Sequence, residues 1–599
     1  MWLERPGCRP GNVKNNKKIL NSPLLRLQDL LAFMHIALKI KKICQFFFGV
    51  IRGRKAISWI WFLVLAAAFY AFVINLPFGR HVVSILEQLG PSPENIFFGL
   101  TVPVVVFAAS FIIFLLLLTR YTAKIILVPL TVLAAVLFYA SWNYGIIYDF
   151  DMVRNFALTN PAEAQSYINT ASIFTVLLLG VLPALIVLRL KITWPQSHIG
   201  SFFKRLGLVV SSFLVVGVIY LLVGSSYVST GRNNHSLNRE FIPYSFLSAV
   251  NSYVKTTYFT VSEPFKIIGS DAFTDNPQER PEVVVMILGE TARAENYPEN
   301  GYQRNTTPYT AQIPNYITFS KVISSGTSTA QSVPCLFSNM SRDSFKRSRA
   351  ERVSNLLDVV VKSGFGVAWI DNDGGCQGVC ERLPKSDVHL IDPAKESLEY
   401  PQLCSTNNCY DEIVLKKLPQ VIAFLKTRNK FVVVHLKGSH GPTYFERTPK
   451  EYKKFTPSCE RSDIQACSIE ELINTYDNTI LYTDLVIAQI QKFLVSLGES
   501  KGSGLLYLSD HGESLGEMGL YLHGMPYAIA PDTQTRVPLH MWFNQGFVAD
   551  HKLNLTCLVN EGKRAGFYSH DNIFHSMLGL LDVATKAYNK KLDFFSGCR

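Results

Sequence analysis

Five long stretches without a charged residue constrain this chain more than anything else in it. They are Ser58–Leu76, Asn95–Thr119, Ile125–Tyr148, Ala171–Leu188 and Leu206–Thr230. Each approaches or exceeds the ~20 residues with which a helix crosses a bilayer. One such run fits inside a soluble core, but five do not. The second and third are separated only by Arg120–Lys124 and form a hairpin. Arg52, Arg54 and Lys55 precede the first run, and Arg189, Lys191, Lys204 and Arg205 lie between the fourth and fifth. With Arg120 and Lys124 these cations fall on alternate sides, which the positive-inside rule makes cytoplasmic. The opposite loops carry Asp149, Asp151 and Glu163. Everything after Thr230 is then outside the cytoplasm. No small-residue cleavage motif follows the first run, so it reads as a retained anchor. The net charge of +12 fits topology signalling and contact with an anionic membrane surface, not nucleic acid.

Four regions follow. Residues 1–56 read as a cytoplasmic segment. Its first 33 residues are rich in Pro, Gly, Asn and basic residues without clear periodicity, and fit an over-extended gene start or a disordered tail equally. Residues 57–230 are a five-helix transmembrane domain, 231–275 a linker and 276–599 an outer domain. Within the linker, Phe241–Phe259 mixes aromatic with polar residues, consistent with an amphipathic helix on the bilayer or a plain linker. In the outer loop between the third and fourth spans, Asn155, Thr159 and Glu163 stand at i, i+4 and i+8. A helix would place them on one face. Pro161 disfavours helix at Asn160 and permits a new start. The trio reads as a solvated loop or as a polar surface gripping a lipid headgroup.

The outer domain alternates short branched runs with helical patterns. Val283–Leu288 ends at Gly289-Glu290, Phe365–Ile370 at Asp371-Asn-Asp373, Phe431–Leu436 before Ser439-His440, and Leu505–Leu508 at Ser509-Asp510-His511. Ser354–Lys362, Glu412–Arg428 and Thr479–Leu497 have helical periodicity. This is an α/β pattern with a mostly parallel sheet, whose functional residues belong at the carboxyl ends of strands. Glu290, Asp510 and His511 make a donor set that suits zinc. A hydroxyl from the Gly326–Ser332 cluster supplies a fourth group and a nucleophile. Residue types alone do not choose among Thr327, Ser328 and Thr329. His440 and His523 are candidates for proton transfer or further metal contact.

Eleven cysteines include nine after Thr230, with close pairs Cys376/Cys380, Cys404/Cys409 and Cys459/Cys467 and no CxxC. In an exported domain such pairs read as disulfides. Nine is odd, so at least one is unpaired within the domain.

Gly289-Glu-Thr-Ala-Arg293, Asn300-Gly-Tyr302 with Thr306-Thr-Pro308, Gly326-Thr-Ser-Thr329-Ala, Ser332-Val-Pro-Cys335, His440-Gly-Pro442, Asn474-Thr-Tyr-Asp-Asn478, Ser509-Asp-His-Gly-Glu513 and His523-Gly-Met-Pro526 stand in order along the chain. Together with the five-span anchor, this set resembles the lipid A phosphoethanolamine transferases, including the polymyxin-resistance enzymes, of the alkaline phosphatase and sulfatase superfamily. The resemblance implies an α/β/α sulfatase-like periplasmic domain on an inner-membrane anchor. It implies Zn2+ held by Glu290, Thr329, Asp510 and His511, with Thr329 the nucleophile and His440 and His523 beside the phosphoryl site. It further implies donor binding by Asn155, Thr159 and Glu163, phosphatidylethanolamine as donor, lipid A or lipopolysaccharide as acceptor, and a monomeric enzyme. Transfer to lipopolysaccharide core or periplasmic glucan, a phosphoglycerol transferase or sulfatase-like hydrolase, and a non-catalytic scaffold are the alternatives. The family usually carries a Cys before the motif glycine, bonded to the Cys after the proline. Here Ser325 stands in the first place, which marks Cys335 as unpaired and leaves Cys557 and Cys598 as a further candidate pair.

Overall fold

The computed structural model describes residues 56–599, apart from 91, 160, 260–263, 275–279, 565 and 567. The cytoplasmic lead expected at 1–56 therefore lies outside the described residues except for Ala56.

The apolar runs form helices as their composition dictates. Helix α1 (Trp59–Phe69) continues through a wider turn to Ile74 and breaks at Asn75. Helix α2 (Leu76–Leu89) departs from it at 54°. Pro77 starts α2 where its missing N–H costs nothing. The buried Asn75 side chain holds the break. Its amide donates to Tyr70 O (2.9 Å) and Ile242 O (2.8 Å), and its carbonyl accepts from Ile242 N–H (2.9 Å). Helices α3 (Pro93–Leu117) and α4 (Ala123–Tyr144) make the expected hairpin. Four helices of this domain are long and apolar enough to span a membrane, and the bent pair raises that to five.

The outer loop does not make one helix. Helix α5 (Phe150–Leu158) ends at Thr159, and α6 (Pro161–Ser166) begins at the proline. Asn155 and Thr159 thus lie at the end of one helix and Glu163 on the next. Helices α7 (Thr170–Arg189) and α8 (His198–Asn233) complete the anchor. Phe241–Phe259 contains a helix, α9 (Tyr244–Tyr258), which packs on α5 through Phe150 against Tyr253 and Phe156 against Phe246.

The outer domain is built on an eight-stranded sheet. Its strands are β1 (Glu282–Gly289), β2 (Ile317–Ile323), β3 (Gly366–Asp371), β4 (Val388–Leu390), β5 (Lys430–His435), β6 (Gly502–Ser509), β7 (Arg536–Phe543) and β8 (Tyr568–Ser569). Their order is β8-β2-β7-β6-β1-β5-β3-β4, parallel except for β7. Both faces are covered. Val284, Met286 and Leu288 face one core with α10 (Thr329–Leu336), α11 (Leu356–Lys362) and α15 (Ile573–Leu580). Val283, Val285 and Ile287 face the other with α12 (Ile413–Phe424) and α13 (Ile469–Ser496). Burial on both sides explains why the central strands read as continuous apolar runs. Helix α14 (Leu555–Gly562) lies over β2 at the sheet's edge.

Among the described residues four disulfides form, Cys376–Cys380, Cys404–Cys409, Cys459–Cys467 and Cys557–Cys598, with Cys335 free and buried. The last bridge spans 41 residues and the second only 5. By loop-closure entropy they stabilise by about 4 and about 2 kcal/mol respectively. Cys598→Ser should therefore lower the midpoint of thermal unfolding more than Cys404→Ser, read by differential scanning fluorimetry of the full chain in detergent. An equal or reversed order would contradict this.

Candidate active site

Strands β1 and β6 are parallel neighbours with Gly289 opposite Ser509. Glu290 and Asp510, the next residue on each, therefore leave the sheet side by side, and both are fully buried. Asp510 is clamped through one oxygen. Its Oδ1 accepts N–H bonds from His511 (2.7 Å) and Thr291 (3.2 Å). Thr291 adopts a positive φ of 52°, unusual for a β-branched residue. Tyr476 of α13 steadies that turn by donating its hydroxyl to Thr291 O (2.6 Å) and accepting from Arg293 N–H (3.0 Å).

Helix α10 begins at Thr329. The Thr329 hydroxyl lies 3.1 and 3.3 Å from the two Glu290 oxygens and 3.4 Å from His511 Nε2. Thr327 instead donates its hydroxyl to Met525 O (2.6 Å). The geometry thus separates the two threonines that residue type left equal. The loop before Thr329 is pinned on several sides. Ser324 N–H donates to Thr535 O (2.8 Å), Ser325 N–H to His570 Nδ1 (3.1 Å), and Gly524 N–H to Thr327 O (2.7 Å). Ser332 donates to Asp510 O. Buried His570 spans this loop and β6, its Nε2 3.1 Å from Ser509 O. Sequence reading missed His570, which follows no long apolar run and belongs to no motif quoted above.

The donor set fits a divalent cation. Asp510 Oδ2 is buried with no hydrogen-bond partner among the described residues. His511 Nδ1 bonds Gly512 O (2.9 Å), which fixes the tautomer and leaves the Nε2 lone pair facing Glu290 (3.4 Å) and Asp510 (3.2 Å). Burial pulls the His511 pKa down to about 4, so the ring is neutral. Glu290, Asp510 and His511 bring one ligand atom each within 4.8 Å of one another. Glu290, Asp373 and His435 do the same on the other flank. There His435 Nδ1 lies 3.0 Å from Asp371. Burial works against a charged His435, but the Asp371 carboxylate outweighs it and raises the pKa to about 9. Asp373 is raised well above the carboxylate range by burial and by Glu290. Asp371 and Asp373 were visible at a strand end, whereas His435 sits inside the apolar run of β5.

His440 and His523 lie beside the cluster. Their rings are 5.7 Å apart, and His523 is 4.5 Å from the His511 ring. Burial and the neighbouring His523 hold His440 well below its ordinary pKa. His523 Nδ1 is 3.4 Å from the buried Glu513. Asn155 reaches this region from the membrane side. A Cβ built on Gly524 would lie 3.9 Å from Asn155 Nδ2, and Asn155 Oδ1 is buried without a hydrogen-bond partner. Thr159 turns its hydroxyl back to Asn155 O (2.8 Å). A cavity of ≈ 460 Å³ opens at His440, lined also by Asp373, Lys437, Arg447 and Ser166.

Comparison with known proteins places this geometry. A family model described as Sulfatase matches residues 282–583, and one described as Phosphoethanolamine transferase EptA/EptB matches 106–258. Phosphoethanolamine transferase EptA of Escherichia coli K12 is 36% identical over 550 residues, covering 91% of this chain and 98% of that protein. The chain belongs to the EptA family of phosphoethanolamine transferases. Phosphatidylethanolamine transferase Mcr-1 of Escherichia coli is 34% identical over 549 residues, covering 90% of this chain and 98% of that protein. The integral membrane EptA structure from Neisseria meningitidis matches with a TM-score of 0.84 at 35% identity, covering 90% of this chain and 98% of that one. This transferase is accordingly an inner-membrane enzyme with a periplasmic, sulfatase-like catalytic domain.

One local feature stands out in the loop before Thr329. Ser325 faces the Cys335 thiol, whose pKa burial pushes up to about 12. At neutral pH that thiol is protonated. Ser325→Cys should close a disulfide with Cys335 and stabilise the chain by roughly 2–3 kcal/mol for a loop of this length. Non-reducing peptide mapping checks the bridge and scanning fluorimetry the stability. A free thiol pair in the oxidised variant would contradict the contact.

Proposed function

We propose that this transferase moves phosphoethanolamine from phosphatidylethanolamine to a phosphate of lipid A, through a phosphoethanolamine–Thr329 intermediate and with zinc bound. The observation that carries the reading is the Thr329 hydroxyl seated between Glu290 and His511 at the start of α10. Lipid A as acceptor rests on family membership.

Glu290, Asp510, His511 and Thr329 would hold the zinc. Bound there, it would supply positive charge beside the Thr329 oxygen and the phosphoryl oxygens. The donor headgroup lies between Asn155 on the membrane side and the His440/His523 pair, with Thr159 and Glu163 completing the donor surface. In the first half-reaction the Thr329 oxygen bonds to phosphorus as the bond to diacylglycerol breaks. An imidazole, His440 or His523, takes up the hydroxyl proton and returns it to the departing diacylglycerol oxygen. In the second, a lipid A phosphate hydroxyl attacks the same phosphorus and gives up its proton to the imidazole, the Thr329–phosphorus bond breaks, and the imidazole passes that proton to the departing Thr329 oxygen. Positioning and charge supply most of the rate. Each transfer adds an ammonium to the acceptor and lowers the negative charge of the outer membrane.

Cells expressing the wild type should contain lipid A heavier by about 123 Da, the phosphoethanolamine increment expected of this transfer. Thr329→Ala should abolish it. The increment appearing only on core sugar or glucan would contradict the acceptor. Asp510→Asn should lose stoichiometric zinc, read by elemental analysis of the purified enzyme, because a buried donor oxygen has been replaced. Retention of full zinc would contradict the ligand set.

A further inference from the structure

A second groove lies against the first turn of α10, at Gln331. It measures ≈ 800 Å³ and runs between α5 and α9 of the membrane side and residues 344–352 of the catalytic domain. Five cations line it: Arg154, Lys346, Arg347, Arg349 and Arg352. Asp151 and Glu351 are the opposing carboxylates. Arg154 pairs with Asp151 (2.9 Å) and Arg347 with Glu351 (2.9 Å). Lys346 and Arg349 are exposed and have no carboxylate partner among the described residues. The groove shares no lining residue with the cavity at His440.

Its floor is the start of α10. Arg154 donates to the Gln331 side chain (2.6 Å), and Arg347 donates to Ala330 O. These are the two residues after Thr329. The two guanidiniums are close enough for Arg347 to disfavour the charged form of Arg154, which is itself buried. Arg154 Nε is buried and without a hydrogen-bond partner. Cations gathered at that cost, with a buried donor left over, are what an anion offsets. The remaining walls, Phe150, Leu158, Tyr253 and Phe345, are apolar. Helix α5 divides its duties by face. Asn155 turns to the Gly524 loop, while Arg154 and Leu158 turn to this groove.

We infer that this groove docks the acceptor by its non-reacting phosphates, the occupant being a multiply phosphorylated glycolipid. The inference rests on the functional reading above. The donor is a zwitterion of zero net charge and gives no reason for a cationic excess. The reacting acceptor phosphate must lie in line with Thr329, so the groove holds the other anionic groups of the same molecule. Charged residues at its rim steer and position the acceptor before transfer.

The test separates the half-reactions of full-length enzyme in mixed micelles. Diacylglycerol release from phosphatidylethanolamine without acceptor reports the first. Transfer to bis-phosphorylated or mono-phosphorylated lipid A reports the second. The double variant Lys346→Glu/Arg349→Glu should raise the KM for bis-phosphorylated lipid A about tenfold, as expected for lost charge complementarity. Its KM for the mono-phosphorylated acceptor should rise less, and diacylglycerol release should keep its wild-type rate. Added salt should erode the wild-type advantage. Lys346→Gln/Arg349→Gln should fall between. An unchanged KM in the double variant would overturn the inference, as would a parallel loss of diacylglycerol release, which would assign the groove to the donor or to the fold. Failure of the wild type to modify any lipid A would overturn the functional reading and this inference with it.

Discussion

The outer domain is arranged around carboxylates that folding removes from water. Glu290, Asp371, Asp510 and Glu513 are all buried at the carboxyl ends of neighbouring strands. A buried carboxylate is tolerated only when hydrogen bonds or an opposite charge replace its hydration. Asp371 is satisfied by the Asp373, Gly374 and Gly375 N–H groups and by His435. Asp510 is satisfied at one oxygen only. The unsatisfied oxygen lies 3.2 Å from His511 Nε2, in a cluster with Glu290 that has the donor set to hold a cation. Close backbone approach keeps it compact. A side chain at Gly512 would collide with Thr533 O, and one at Gly438, whose φ is +51°, would meet Glu290 O at 2.7 Å.

The same arrangement connects the two halves of the chain. Helix α5 sits outside the membrane spans, packed on α9, and reaches the Gly524 turn through Asn155 and α10 through Arg154. Thr327 locks the Gly524 turn to the loop before Thr329. Residues of α5 therefore lie against the Gly524 turn and the first turn of α10. The loop does not depend on the bridge that Ser325 rules out, because Ser324, Ser325, Thr327 and Ser332 are each held by a neighbouring strand or loop.

Legibility in the sequence followed the physics of burial. The membrane helices were plain because lipid demands continuous apolar composition. Strands β1, β3, β5 and β6 were plain because both faces of the sheet are covered. Strands β2 and β7 were not singled out: Ser320 and Lys321 break the first run, and Arg536, Pro538 and His540 break the second. Helix α13 begins ten residues before its apolar period because its first half buries Asn474, Thr475, Asp477 and Asn478, which are hydrogen-bonded, not apolar. The break after Ile74 depends on Asn75 reaching residue 242, which no local pattern reveals. At the site, polar residues that follow the apolar runs were accessible to reasoning, whereas His435 closes β5 within the run Phe431–Leu436 and His570 reaches the site across a long sequence separation.

Thr329 is the residue proposed to carry the transferred group. The most direct measurement is peptide mapping of enzyme incubated with phosphatidylethanolamine and no acceptor, rapidly quenched in acid. The account predicts a phosphoethanolamine adduct, about 123 Da, on Thr329 that disappears when lipid A is added before the quench. An adduct on Thr327 or Ser328, or full transfer to lipid A with no adduct at any time, would contradict it.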